Sequence, residues 1–193
     1  MSDLIDTNFG WLPDLPDIRD LIFTGVTAPE ALPPRVDLRE MDSEIYDQGR
    51  LGSCTGNATA AMFQFVNRKL GYKDFKPSRL FLYYEARAKI GKVKQDTGAY
   101  LRDCMKTLAK KGVCTEVTWP YIPEKFATKP SKPSYKEALS HQAIQYQRIN
   151  NSLESMKQCI ADGYPFVFGF SVYESFRTQV VNSTGVMSMP AKT

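Results

Sequence analysis

Cys54 and Gln48 are the residues of this chain whose types and spacing point to chemistry. They lie in the run Asp47-Gln48-Gly49-Arg50-Leu51-Gly52-Ser53-Cys54-Thr55-Gly56-Asn57-Ala58, a glycine-punctuated loop that delivers one cysteine to the start of a helix. The helix is read from apolar residues at Ala58, Ala61, Met62, Phe65, Val66 and Leu70, whose spacing of three and four predicts one buried face. Gly71 is placed to end it in a left-handed turn. A cysteine in the first turn meets unpaired backbone N–H groups and the positive end of the helix dipole, and both favour negative charge. The expectation is a thiol that ionises readily, since thiolate is the nucleophilic form. Taken alone, the same residue also reads as a small buried side chain, the usual place of a free cysteine.

Gln48, six residues ahead of the cysteine in a Gly-Ser-Cys triplet, resembles the active-site loop of papain-like cysteine peptidases. The resemblance implies that the Gln48 side chain and the Cys54 backbone N–H form an oxyanion hole. Two positions depart from the family pattern. Leu51 stands where many members have a disulfide-forming cysteine, which removes a staple, and Thr55 stands where an aromatic usually follows the nucleophile, which alters the cleft wall. The segment Leu32-Pro33-Pro34-Arg35-Val36-Asp37-Leu38-Arg39 resembles the start of the mature domain. Residues 1–32 then form an N-terminal extension, either a packing arm or a segment that lies over the cleft and restrains activity. Residues 33–193 form the peptidase domain, mainly helical over 33–130 and opening a β lobe over 131–193. The implied fold is α+β, with a helical left lobe around the Cys54 helix and an antiparallel right lobe expected to be incomplete in this chain.

The elements that must position the cysteine follow in order. Gly10-Trp11-Leu12-Pro13 is the most packable knot of the proline-rich first 32 residues. Ser78 is placed to cap a second helix whose cluster Phe81, Tyr83 and Tyr84 reads as core. Asp96-Thr97-Gly98-Ala99-Tyr100 is a turn into a third helix, with Leu101, Cys104, Met105 and Leu108 facing inward and Gly112 closing it. By the family resemblance, Gly98 presents its backbone to an extended substrate in a short antiparallel contact. Trp119-Pro120-Tyr121 reads as structural, and residues 123–136 as a crossover too broken for a helix until Ser134. Beyond it, alternation at Ile144, Tyr146 and Arg148 predicts a strand. Asn151 and Glu154 suggest a capping box before a helix through Leu153, Met156 and Ile160 to Gly163. Pro165–Val172 and Thr184–Met189 read as further strands. In the family, the strand around Gly169 borders the pocket for the residue two before the cleaved bond, where glycine leaves the wall open.

A peptidase of this kind needs a proton carrier, and histidine serves near neutral pH. The chain has one, His141, 87 positions after Cys54 and ahead of the predicted β lobe. The family's histidine and asparagine follow the Thr-Gly-Val-like strand, so both are expected beyond Thr193 or on a C-terminal fragment of the same protein. A pseudopeptidase that binds extended peptides without cutting them is the alternative, as is a papain-fold acyltransferase or aminopeptidase using the same sulfur.

Composition narrows the remaining classes. The 11 Phe and 10 Tyr favour a packed globule. The net charge of +4 is scattered without aromatic interleaving, which argues against a nucleic-acid footprint. The cysteines at 54, 104, 114 and 159 lack metal-ligand spacing, and burial is expected for Cys104 and Cys159. Neither a metal nor another cofactor is called for; the partner implied is a peptide or protein substrate. No apolar run reaches membrane-spanning length and no secretory pattern opens the chain, so a cytoplasmic setting is the default.

Overall fold

A computed structural model describes residues 9–189. The first eight residues of the extension lie outside that range, as does Pro190–Thr193, the point at which the family's next strand is expected. The core is a packed trio of helices: α1, Cys54–Lys69; α2, Arg79–Lys89; and α3, Leu101–Lys110. α2 is buried along most of its length, and Ser78 caps it by accepting the Phe81 N–H at 3.2 Å, as the sequence predicts. Gly56 lets α1 and α2 touch: a Cβ there would stand 2.8 Å from the Arg79 carbonyl oxygen.

The buried face of α1 differs from the apolar stripe. Ala58 and Leu70 are exposed, whereas Thr55, Asn57, Thr59 and Gln64 are buried with Ala60, Phe63 and Phe65. Two of these polar side chains enter the core because they are hydrogen-bonded there. Asn57 Nδ2 donates to the Ser53 carbonyl at 2.9 Å, and Gln64 Nε2 donates to Asp74 at 2.9 Å. Buried charges on α2 are matched too. Arg79 forms a two-pronged pair with Glu116 at 2.7 and 2.9 Å, and Glu85 meets Lys111.

The second half of the chain departs from the expected strands. Among the described residues the one sheet is two-stranded and parallel, pairing β1, Trp11–Leu12, with β2, Ala99–Tyr100. Over Ile144–Arg148 pairing is confined to Arg148, which bridges to the extension through Leu21 and Phe23, and Ile144 is fully exposed. Residues 165–172 make no backbone ladder among the described residues. Their phenylalanines instead form a chain of ring contacts from Phe166 through Phe168 and Phe170 to Phe176. Thr184-Gly185 ends a helix rather than starting a strand: in α6, Gln179–Thr184, Gly185 adopts φ 67° and its N–H returns to the Val181 carbonyl. Alternation marks a segment able to pair, but only a neighbouring edge makes it a strand.

Smaller corrections concern caps. α4 runs over Lys132–Ala138, starting two residues before Ser134 because Ser131 caps it and Pro133 fits the first turn. α5, Leu153–Ala161, is capped by Ser152, which accepts the Ser155 N–H, in place of the Asn151 capping box.

Candidate active site

Cys54 is the first residue of α1, partly exposed, at the end of a loop fixed from three sides. Tyr121 donates its hydroxyl to the Gln48 carbonyl at 2.9 Å and lies 2.5 Å from the Ser53 hydroxyl. Arg79 donates to the Asp47 carbonyl at 2.8 Å and stacks over the Tyr121 ring. Asp96 accepts the Gly52 N–H at 2.9 Å. Sequence reasoning assigned Tyr121 a structural place and Asp96 to a turn, and gave Arg79 no part in the site; the bonds by which they hold this loop go largely to its backbone, which carries no residue-type signal. The Gln48 carboxamide donates through Nε2 to the Leu51 carbonyl at 2.9 Å, which orients the side chain. Thr55 does not form a cleft wall; it is buried beside Cys104.

The N-terminal segment brings Gly10 and Trp11 to the predicted substrate glycines. Gly10 accepts the Ala99 N–H at 2.8 Å, and a Cβ on Gly98 would fall 2.1 Å from the Gly10 oxygen. Gly98 holds φ 75°, so the position needs glycine both for its backbone and for this approach. A Cβ on Gly169 would fall 2.0–2.4 Å from the Trp11 indole, so the open wall expected there is filled by that ring. The pairing of β1 with β2 is parallel, opposite in direction to the antiparallel contact expected of a substrate.

The electrostatics reverse the expectation for the free sulfur. Burial pushes the Cys54 thiol up, against the N–H groups of Gly10, Thr55 and Cys54 itself that draw it down; Asp96 adds a smaller upward push. The helix-start effect is present but outweighed by burial of the sulfur. Elsewhere burial pushes Cys104 and Cys114 up to about 12 and Cys159 up to about 11.

The covering segment is anchored at a distance from the sulfur. Arg102 of α3 donates to Asp20 at 2.7 Å and to the Leu15 carbonyl at 2.8 Å, and Arg148 donates to Asp20 at 3.1 Å. Hydrogen bonding from Arg102 holds the Asp20 carboxyl below its ordinary value. Asp162 accepts the N–H groups of Val26 and Thr27 at 2.7 and 2.9 Å. Arg102→Ala should therefore loosen the segment and speed alkylation of Cys54 roughly tenfold, a value between those of exposed and buried pairs. Unchanged alkylation would show that these anchors do not hold the cleft closed.

His141 is not part of this site. Its ring lies against Phe75, with centroids 4.3 Å apart, and Nδ1 lies 3.2 Å from the Val113 carbonyl. It lines a groove with Met62 and Val66, about 12 and 18 Å along the α1 axis from Cys54 at the helical rise per residue. Among the described residues no group of three or more His, Cys, Asp or Glu is arranged to hold a metal ion, and no helix is long and apolar enough to cross a membrane.

No family model matches the sequence. The chain is 38% identical over 216 aligned positions to an uncharacterized peptidase C1-like protein of Acanthamoeba polyphaga mimivirus, covering 98% of this chain and 69% of that protein. It also superposes on the crystal structure of xylellain, a cysteine protease from Xylella fastidiosa, with a TM-score of 0.85 and 39% identity, covering 100% of this chain and 76% of that one. Digestive procathepsin L 3 of Tenebrio molitor larval midgut matches at a TM-score of 0.59 with 16% identity, over 81% of this chain and 48% of that one, a likeness of fold alone.

Proposed function

The chain belongs to the papain-like cysteine peptidases, and on that premise we propose that it cleaves internal peptide bonds through Cys54. The Cys54 thiolate attacks the peptide carbonyl carbon, forming a C–S bond while the carbonyl oxygen gains negative charge. The Gln48 carboxamide and the Cys54 N–H hold that oxygen. Collapse expels the amine, which must take up a proton, and water then releases the acid from the thioester. His141 is held against Phe75 and Val113, so the proposal leaves proton transfer to a histidine outside the described residues, carried on a further segment or companion fragment. Gly98 and Gly169 border the substrate, and residues 1–32 act as an extension that restrains the site.

The observation that carries this reading is that the cleft already holds a peptide. Gly10 offers its carbonyl to Ala99 and its N–H to the Cys54 sulfur, while Trp11 rests on Gly169. A site that takes an extended backbone and one large side chain beside a thiol is built for peptides rather than small acyl donors.

The test is covalent. A peptidyl electrophile added to the native chain should modify Cys54 and spare Cys104, Cys114 and Cys159, whose thiols burial holds protonated. Peptide mapping by mass spectrometry reads the outcome. Modification spread evenly over the four cysteines, or absent from Cys54 after the segment is released, rules the reading out.

A further inference from the structure

The loop that carries the nucleophile and the turn that carries Gly98 come from separate parts of the chain, yet one carboxylate and one phenol hold both. Asp96 accepts the Gly52 N–H through Oδ2 at 2.9 Å and Oδ1 at 3.2 Å. Tyr83, in the middle of α2, donates its hydroxyl to Asp96 Oδ1 and accepts the Gly98 N–H at 3.1 Å. The Tyr83 ring is fully buried, so the pair is referenced to the helical core. Burial, with the carboxylate beside it, holds the phenol well above its ordinary pKa and keeps it a donor.

We propose that Asp96, braced by Tyr83, is a positioning residue that locks the nucleophile loop to the substrate turn. The lock sits next to Leu51, where many papain-like peptidases have a disulfide-forming cysteine, and all four cysteines here are free. A hydrogen-bonded carboxylate thus ties together what Leu51 cannot tie covalently. Displacing either tether moves two things at once: the backbone two residues before Cys54, which aims its N–H at the oxyanion, and the Gly98 backbone against which a peptide lies. Sub-ångström placement of such groups governs acyl chemistry, so the lock acts on peptide reactivity more than on the sulfur itself.

The proposal rests on the peptidase reading, and its test separates the two. In the full chain, Cys54 is labelled by iodoacetamide, which needs only the sulfur, and by a peptidyl vinyl sulfone, which also needs the Gly98 contact. The ratio of the two rates cancels changes in the sulfur's own exposure and ionisation. Asp96→Ala should lower the peptidyl-to-small ratio roughly tenfold, the scale of one lost charge-assisted hydrogen bond. Asp96→Asn, which keeps an acceptor oxygen for Gly52, should recover most of it. Tyr83→Phe, which keeps the ring and its packing, should lower it as well and carries the measurement if Asp96→Ala does not fold. A wild-type ratio in Tyr83→Phe and in the folded Asp96 variants overturns the lock alone. A Gly10→Ala chain, its cleft opened, with no preference for the peptidyl reagent overturns the peptidase reading, and the lock with it.

Discussion

Replacing Gly10 by alanine should raise the rate at which iodoacetamide reaches Cys54 by about a hundredfold. A Cβ on Gly10 would stand 1.7 Å from the Gly52 carbonyl oxygen and 2.5 Å from its carbon, and both are backbone atoms of the nucleophile loop. That loop is held by Asp96, Tyr121 and Arg79, so the extension is the part that must move. Leaving the cleft costs it the hydrogen bond from Ala99, about 1 kcal/mol, and the partly buried contact of Trp11 with Gly169, about 2 kcal/mol. Together these amount to a factor of about a hundred, at roughly 1.4 kcal/mol for each tenfold. The pH dependence should shift with the rate. Burial is the largest influence on the Cys54 pKa and raises it, while the Gly10 N–H lowers it by less, so rehydrating the sulfur should bring thiolate to lower pH despite the loss of that bond. Ile18→Ala is the control on the same extension, because that side chain is fully exposed. Wild-type alkylation in Gly10→Ala would mean that the segment is a packing arm.

The sequence made the site legible up to the point where tertiary contacts take over. Cys54 does open a helix, Gly71 adopts the left-handed conformation just past its end, and Ser78 caps the next helix, because these features depend on neighbours within a few residues. The inward face of α1 was misread because Asn57 and Gln64 count as polar until Ser53 and Asp74 are found beside them. The strand readings failed for a related reason. Residues 165–172 have a strand's composition, but among the described residues no edge accepts their backbone, and ring-to-ring contacts organise them instead. Trp11 was legible as a packable residue, while its seat on Gly169, more than 150 positions away, was not. The sulfur's ionisation shows the same division. The N–H groups of Thr55 and Cys54 lower the pKa as a helix start should, and burial of the sulfur in the folded chain outweighs them. Local rules place Cys54 at the helix start; long-range contacts set what surrounds it.

In a protein that supplies the histidine, Gln48→Ala should cut kcat/KM for a peptide amide by about 10²–10³, the loss associated with one oxyanion donor. The carboxamide's Nε2 already donates one bond to the Leu51 carbonyl, and that bond fixes the direction of the group as a whole. The role proposed for it is therefore electrostatic preorganisation: a donor set in place before the carbonyl oxygen acquires charge, requiring no rearrangement as the C–S bond forms. Losing the Leu51 bond itself costs about 1 kcal/mol of stability, which the fold tolerates. Tyr121 still holds the Gln48 backbone carbonyl and the Ser53 hydroxyl, so the loop keeps its path. Two reagents separate the hole from the sulfur. Iodoacetamide reacts by displacement at a saturated carbon and develops no oxyanion, so its rate at Cys54 should stay within a fewfold of wild type. A peptide aldehyde forms a tetrahedral adduct whose oxygen occupies the hole, so its affinity should fall in parallel with kcat/KM. Loss of both reactions would point to a collapsed loop, and loss of neither would take Gln48 out of the chemistry. Only the split result fits an amide that stabilises charge on the substrate oxygen without touching the nucleophile.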